Sequence, residues 1–305
     1  MKEKVIKNQI YNKIKALTAS VKDKEIKKIM EDGIIVTGGC IVSLLEQRPV
    51  NDYDVYFKDF DTALKVGEYY LKLFKEKNKE NKGIPIDVMY INEDGRLRLM
   101  VKSSGIIADQ AEEDYKYFKQ GDPGSPESQA FVQEAVNFLQ GSKKAKEETY
   151  VPLVLTSNAI TLSDSVQLIT RFHGNAEELH KNFDFINCTN YWTSWNNKLV
   201  LNKEALTSII TKELKYIGSL YPICSMFRVR KYIERGYTIN AGQILKMAFQ
   251  ISKLDLDNIT VLQEQLVGVD AAYFFELLYR IKETQQNQKD TVDEIYISQL
   301  IDEIF

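Results

Sequence analysis

GGCIVSLLEQRPVNDYDVYF (residues 38–57) decides how the chain is read. It follows Ile34-Ile35-Val36, a short β-branched run with the character of a buried strand. Gly38 and Gly39 make a tight turn after that strand, and residues 40–47 suit a short helix. A loop at Arg48-Pro49-Val50-Asn51 leads into 52–57, which alternates like a half-buried strand. A period of two puts Asp52 and Asp54 on one face. Like charges that close repel unless a cation or a proton lies between them. Hard carboxylate oxygens suit Mg²⁺ or Mn²⁺ and leave room for phosphate oxygens. A glycine pair between strand and helix lets the backbone approach a ligand and turns N–H groups toward an anion. A metal-bound triphosphate between Gly38-Gly39 and Asp52/Asp54 satisfies both elements. Taken singly, each has a plainer reading: a common turn, and an edge strand with solvated acids.

Outward from this stretch, apolar spacing predicts one helix over residues 3–30 and another over 61–79. Ile84–Ile91 and Arg96–Val101 read as a strand pair across Asn92-Glu93-Asp94-Gly95. Residues 105–147, with the turn-rich GDPGSPES at 121–128, read as an insertion or arm. Two strands follow at 151–162 and 165–172, then a short helix near 175–182. From about 203 the pattern is helical. The expected fold is α+β: a small mixed β-sheet head with flanking helices, followed by an all-helical C-terminal region. The expected organisation is an N-terminal basic helix (1–32), a head (33–195) with an insertion at 80–148, and a helical tail (196–305).

Composition sets limits. The chain has 305 residues, a net charge of −3 and 44% hydrophobic residues, ordinary values for a folded globular chain. The acidic balance argues against a generic polyanion binder. Charge is uneven: residues 1–30 hold nine Lys for a net of +6, and residues 251–305 carry −7. These are either solvated helical faces or a basic end that meets a polyanion or packs on the acidic end. No stretch has the length of a membrane span, and the Lys-rich N-terminus is not a secretory signal. Cys40, Cys188 and Cys224 are odd in number and far apart, which points to free thiols in a reducing, cytoplasmic setting. His173 and His180 are the only histidines, so a Cys/His zinc site is excluded.

The 38–57 stretch resembles the head of the DNA polymerase β-like nucleotidyltransferase superfamily, nearest to CCA-adding enzymes and bacterial poly(A) polymerases. The resemblance rests on Gly38, Gly39, Arg48, Pro49, Asp52 and Asp54. It continues in SVQLITRF (165–172), in Asp184-Phe185 with Asn187, and in FRVRKYIERGYTIN (227–240). FHGNAEELHKNFDFINCTNYW (172–192) also resembles proteins of tailed bacteriophages. The likeness implies a metal-dependent transfer of a nucleoside monophosphate from an NTP, with an RNA 3′ end as acceptor; protein side chains and small molecules stay open as acceptors. It implies Asp52 and Asp54 as catalytic metal ligands; Asp87 reads either as a third metal-binding acid or as an exposed acid on an alternating strand. It implies Gly38, Gly39 and Asp184 at the nucleotide, and Ser43 is assigned there with them; Arg171 and Arg228 read either as phosphate contacts through their guanidinium forks or as surface salt-bridge partners. The chain also departs from the pattern. Val42-Ser43 replace an Arg-Asp, Asn182-Phe183 replace two arginines, and Gln167 stands where a carboxylate is expected. Those losses favour the competing reading, a degenerate head kept for binding or assembly. Tyr191, Trp192 and Trp195 read either as a base-stacking group or as core.

Overall fold

The computed structural model describes residues 2–77, 88–93, 95–101, 149–155, 159–256, 261 and 265. Asp87 and most of the expected insertion at 80–148 lie outside the described residues.

The N-terminal apolar pattern folds as two helices rather than the single one expected. In α1 (Glu3–Ser20), Ile6, Ile10, Ile14 and Leu17 are buried along one stripe. The helix ends at Val21 because Asp23 caps a new one: its carboxylate accepts the Glu25 and Ile26 N–H groups at 2.8 and 3.1 Å. Helix α2 (Lys24–Gly33) then runs directly into β1 (Ile34–Thr37), whose residues are all buried. The remaining elements of the first half are α3 (Gly39–Leu45), β2 (Tyr53–Phe57), α4 (Phe60–Lys77), β3 (Val88–Glu93) and β4 (Arg96–Val101). After them come β5 (Pro152–Leu155), β6 (Ala159–Leu162), β7 (Val166–His173), α5 (Ala176–His180), a single 3₁₀ turn at Ile186–Cys188, and β8 (Tyr191–Thr193).

Seven strands form one sheet in the order β5-β6-β7-β2-β1-β8-β9, where β9 is Lys198–Val200. The sheet is mixed: β2 and β7 run parallel, and its other pairs are antiparallel. The apolar run 151–162 makes two strands, not one, because β5 and β6 satisfy each other's backbone groups with Leu155 opposite Ile160. Fully buried Val36, Val55, Phe57, Leu168 and Trp192 supply core side chains from the central strands. The β3–β4 hairpin rests on α4 at Gly67, where a Cβ would come within 2.6 Å of the Tyr90 ring.

Past residue 196 the described chain is not purely helical. With helices α6 (Lys203–Thr211), α7 (Pro222–Glu234) and α8 (Ala241–Ile251) come β9 and the two-residue strands β10 (Glu213–Leu214) and β11 (Thr238–Ile239). Strand β9 completes the edge of the large sheet beside β8, and β10 pairs with β11. These short strands lack the length to leave a period-two signature in the sequence.

The chain divides into two compact units. The first holds α1 to β4, β5 to Ser219, and Tyr232–Met247; the second includes Leu220–Lys231 and the described residues from Ala248 onward. Lys13 of α1 is committed inside the first unit. Its amine bonds Asp164 Oδ2 at 2.9 Å and stands 5.4 and 5.3 Å from the Tyr53 and Tyr150 rings. No described helix is long and apolar enough to cross a membrane.

Candidate functional site

Gly38 joins β1 to α3 with φ +90°, a conformation that a side chain strains. A Cβ there would lie 3.3 Å from Asp54 Oδ2 and 3.9 Å from Phe183 Cε2. The carboxylate and the ring edge therefore converge on the bare backbone of the turn. A Cβ on Gly39 would meet nothing within 4 Å, so the space beside the second glycine is open. The Gly38 N–H, expected to turn toward an anion, donates to Cys188 O at 3.1 Å. That bond fastens the turn to the segment before β8.

Asp54 lies in β2, which buries Val55 and Phe57 and leaves Asp54 and Tyr56 half-buried on the opposite side. Asp52 precedes the strand and is exposed. Asp54 pairs with Gln167 across the parallel β2–β7 ladder, so the position expected for a further acid carries a neutral amide beside it. Among the described residues, no three His, Cys, Asp or Glu side chains gather as a metal site. The oxygens of Asp54 and of the paired Gln167 amide are hard donors, the type that Mg²⁺ takes together with phosphate and water. Beneath the turn, burial pushes the Cys40 thiol well above its ordinary range, and the Asp54 charge adds to that, so Cys40 stays protonated.

The other expected site residues take different positions. Ser43 is buried, and Arg235 Nη1 donates to its hydroxyl at 3.3 Å. Asp184 is buried; its Oδ1 accepts the Phe185 N–H at 3.0 Å and its carbonyl accepts from Ile217 N at 2.8 Å. The bond from Ile217 joins two parts of the first unit. Arg171 falls where the β2–β7 register slips, between Leu168 and His173. Arg228 lies on α7 in the second unit. Asp87 is outside the described residues. Trp192 is core, its Nε1–H donating to Asn197 Oδ1 at 2.9 Å, while Trp195 is exposed.

Two neighbours of the turn have only a weak signal in the sequence. His180, at the end of α5, lies 2.9 Å from Thr37 Oγ1 through Nε2. The Thr37 hydroxyl donates to Asn190 O at 2.8 Å, so His180 Nε2–H is the donor to Thr37. Burial lowers the His180 pKa to about 4, so the ring is neutral at neutral pH. Phe183 stands 6.0 Å from Tyr56 and 5.0 Å from His180, centroid to centroid, and His180 is 5.8 Å from Tyr191. In the sequence, Phe183 stands out only as the replacement of an arginine, and His180 only as one of two histidines.

The second buried cluster, around Glu46, faces α6 and the end of α7. The Glu46 carboxylate accepts from Tyr237 OH at 2.6 Å, pairs with Lys212, and lies 3.4 Å from Arg48 Nε.

Comparison with known proteins gives one family and a set of distant folds. Gabija anti-defense 2 of Bacillus phage SPbetaL7 is 25% identical over 126 residues, which is 41% of this chain and 32% of that protein. The chain thus matches about a third of that relative's length. Among solved structures, the Thermotoga maritima CCA-adding enzyme complexed with tRNA aligns with 90% of this chain and 53% of its own, at 10% identity and a TM-score of 0.38. The Bacillus stearothermophilus CCA-adding enzyme in complex with CTP aligns with 80% of this chain and 47% of its own, at 12% identity and a TM-score of 0.33. The Gabija anti-defense 2 family matches residues 8–212, more than half of the chain. The chain belongs to the Gabija anti-defense 2 family.

Proposed function

We propose that this member of the Gabija anti-defense 2 family is a metal-dependent nucleotidyltransferase that acts against the Gabija defence by modifying an acceptor hydroxyl. The observation that carries this reading is the Asp54 carboxylate turned onto the bare Gly38 bend, with open space beside Gly39. Asp52 and Asp54, with the Gln167 amide oxygen, would hold the divalent cation. When bound, that cation supplies charge neutralisation at the phosphates and eases deprotonation of the acceptor hydroxyl. The bare Gly38-Gly39 turn lets phosphate oxygens approach the backbone. The acceptor oxygen bonds to the α-phosphorus, the bond from that phosphorus to the α–β bridging oxygen breaks, pyrophosphate leaves, and the hydroxyl proton passes to water. The acceptor is an RNA 3′ end or a protein hydroxyl.

A second reading has its own observation. Gln167 stands beside Asp54 in place of an acid, and Ser43 and Asp184 are engaged by the protein's own groups. A degenerate head that binds without catalysis accounts for those three positions.

One experiment separates the two. The protein is incubated with Mg²⁺ or Mn²⁺, each labelled NTP, and panels of RNA and protein acceptors, alongside Asp52→Asn and Asp54→Asn. Transfer by the wild type and its loss in both variants is the expected result. Anti-defence activity that survives in both variants establishes the binding module instead.

A further inference from the structure

We propose that Tyr56 and Phe183 form the stacking platform for the base of the incoming nucleotide, so that the site selects by ring area rather than by hydrogen-bond pattern. This inference rests on the nucleotidyltransferase reading and deepens it.

The two rings lie 6.0 Å apart at 47°, and both are only half-buried. Other aromatics of this unit behave differently: Phe57, Phe185 and Trp192 are essentially sealed. Phe183 instead reaches to 3.9 Å from the Cβ direction of Gly38, which the Asp54 carboxylate also faces at 3.3 Å. The part of each ring that is not buried gains when a further apolar surface is laid over it. A base tethered to phosphates at the turn supplies such a surface.

The wall behind the platform is rigid. His180 packs on Phe183 at 5.0 Å, its Nε2–H is spent on Thr37, and Tyr191 packs on His180. A pre-positioned ring loses little freedom when a base settles on it. Every base has a π-face, so stacking accepts all four and favours the larger purines.

The test measures equilibrium binding of the α,β-methylene analogues of the four NTPs, and of inorganic tripolyphosphate, to the full chain with Mg²⁺. Wild type is compared with Phe183→Trp, Phe183→Leu and Phe183→Ala. Purine analogues bind tighter than pyrimidine ones; Leu and Ala weaken all four by about tenfold or more, as loss of a stacked ring does. The Trp variant retains affinity, and tripolyphosphate binds equally to all four proteins. Leu-variant affinity equal to wild type overturns the proposal, as does a parallel loss of tripolyphosphate, which would mean that Phe183 only shapes the turn. Wild type binding tripolyphosphate and analogues equally overturns the stacking alone. Wild type binding neither overturns the nucleotidyltransferase reading itself.

Discussion

Asp54 and Gln167 are partners in the parallel ladder between β2 and β7. Residues paired in this way project from the same side of the sheet, so under the proposed function the amide stands beside the cation held by Asp54. Replacing it by an acid restores a full negative charge. In a transfer assay, Gln167→Glu should lower the Mg²⁺ concentration needed for half-maximal rate. Gln167→Ala should cost far less than Asp54→Asn. A Gln167→Glu protein with an unchanged metal requirement would remove this residue from the site.

Gly38 and Gly39 should respond differently to one added methyl. Gly38→Ala forces an L side chain into φ +90° with its Cβ 3.3 Å from the Asp54 carboxylate. The backbone strain alone is about 1–2 kcal/mol. Gly39→Ala meets no atom within 4 Å, so thermal unfolding should barely move. If Gly39→Ala keeps its stability yet loses nucleotide binding, the open space belongs to the ligand. Equal melting temperatures for wild type and Gly38→Ala would contradict the strain argument.

His180 links stability to pH. Its pKa is lowered by burial from 6.5 to about 4. Between those values the unfolded chain holds the extra proton, so the native state loses stability as pH falls from 6.5 toward 4. The ring is partly exposed, and solvent reduces the size of the effect. His180→Gln keeps a donor for Thr37 and removes the titration. Its stability-versus-pH curve, from urea unfolding at several pH values, should be flatter than wild type across that window.

Glu46 anchors residues far apart in the chain. Its side chain is 4% exposed and takes contacts from Tyr237, Lys212 and Arg48. Glu46→Ala leaves the Lys212 charge and the Tyr237 hydroxyl without their acceptor, a loss of about 2 kcal/mol or more. Urea unfolding should register it as a lower midpoint. Glu46→Gln, which still accepts from Tyr237, should fall between Ala and wild type.

Much of the head was legible because its signals are local. The Ile34–Val36 run, the glycine pair and the alternation after Asp52 each lie within a few residues and depend on period and turn chemistry alone. The sheet order was not legible. Nothing near Thr37 announces that β1 pairs with residues 191–193, or that His180 donates to Thr37. Phe183 has the same cause: its meaning lies in Gly38 and Tyr56, which are remote in sequence. The break at Asp23 was in principle readable as a cap before a new helix, but the continuing apolar spacing of Ile26, Ile29 and Met30 masked it. Ser43 and Asp184 suited the nucleotide by their place in the sequence pattern, and long-range partners engage both.

The Gly38 bend is fastened to Cys188, and Thr37 to Asn190. During synthesis, therefore, the first strand and its bend must wait until some one hundred and fifty further residues (|i−j| = 151 for Thr37 to Cys188) have left the ribosome. Until then one edge of the central strand is unsatisfied. Closing so long a loop is slow, and open edges attract other chains. A nascent chain stalled short of residue 190 should be a chaperone client, and competence should arrive late and all at once.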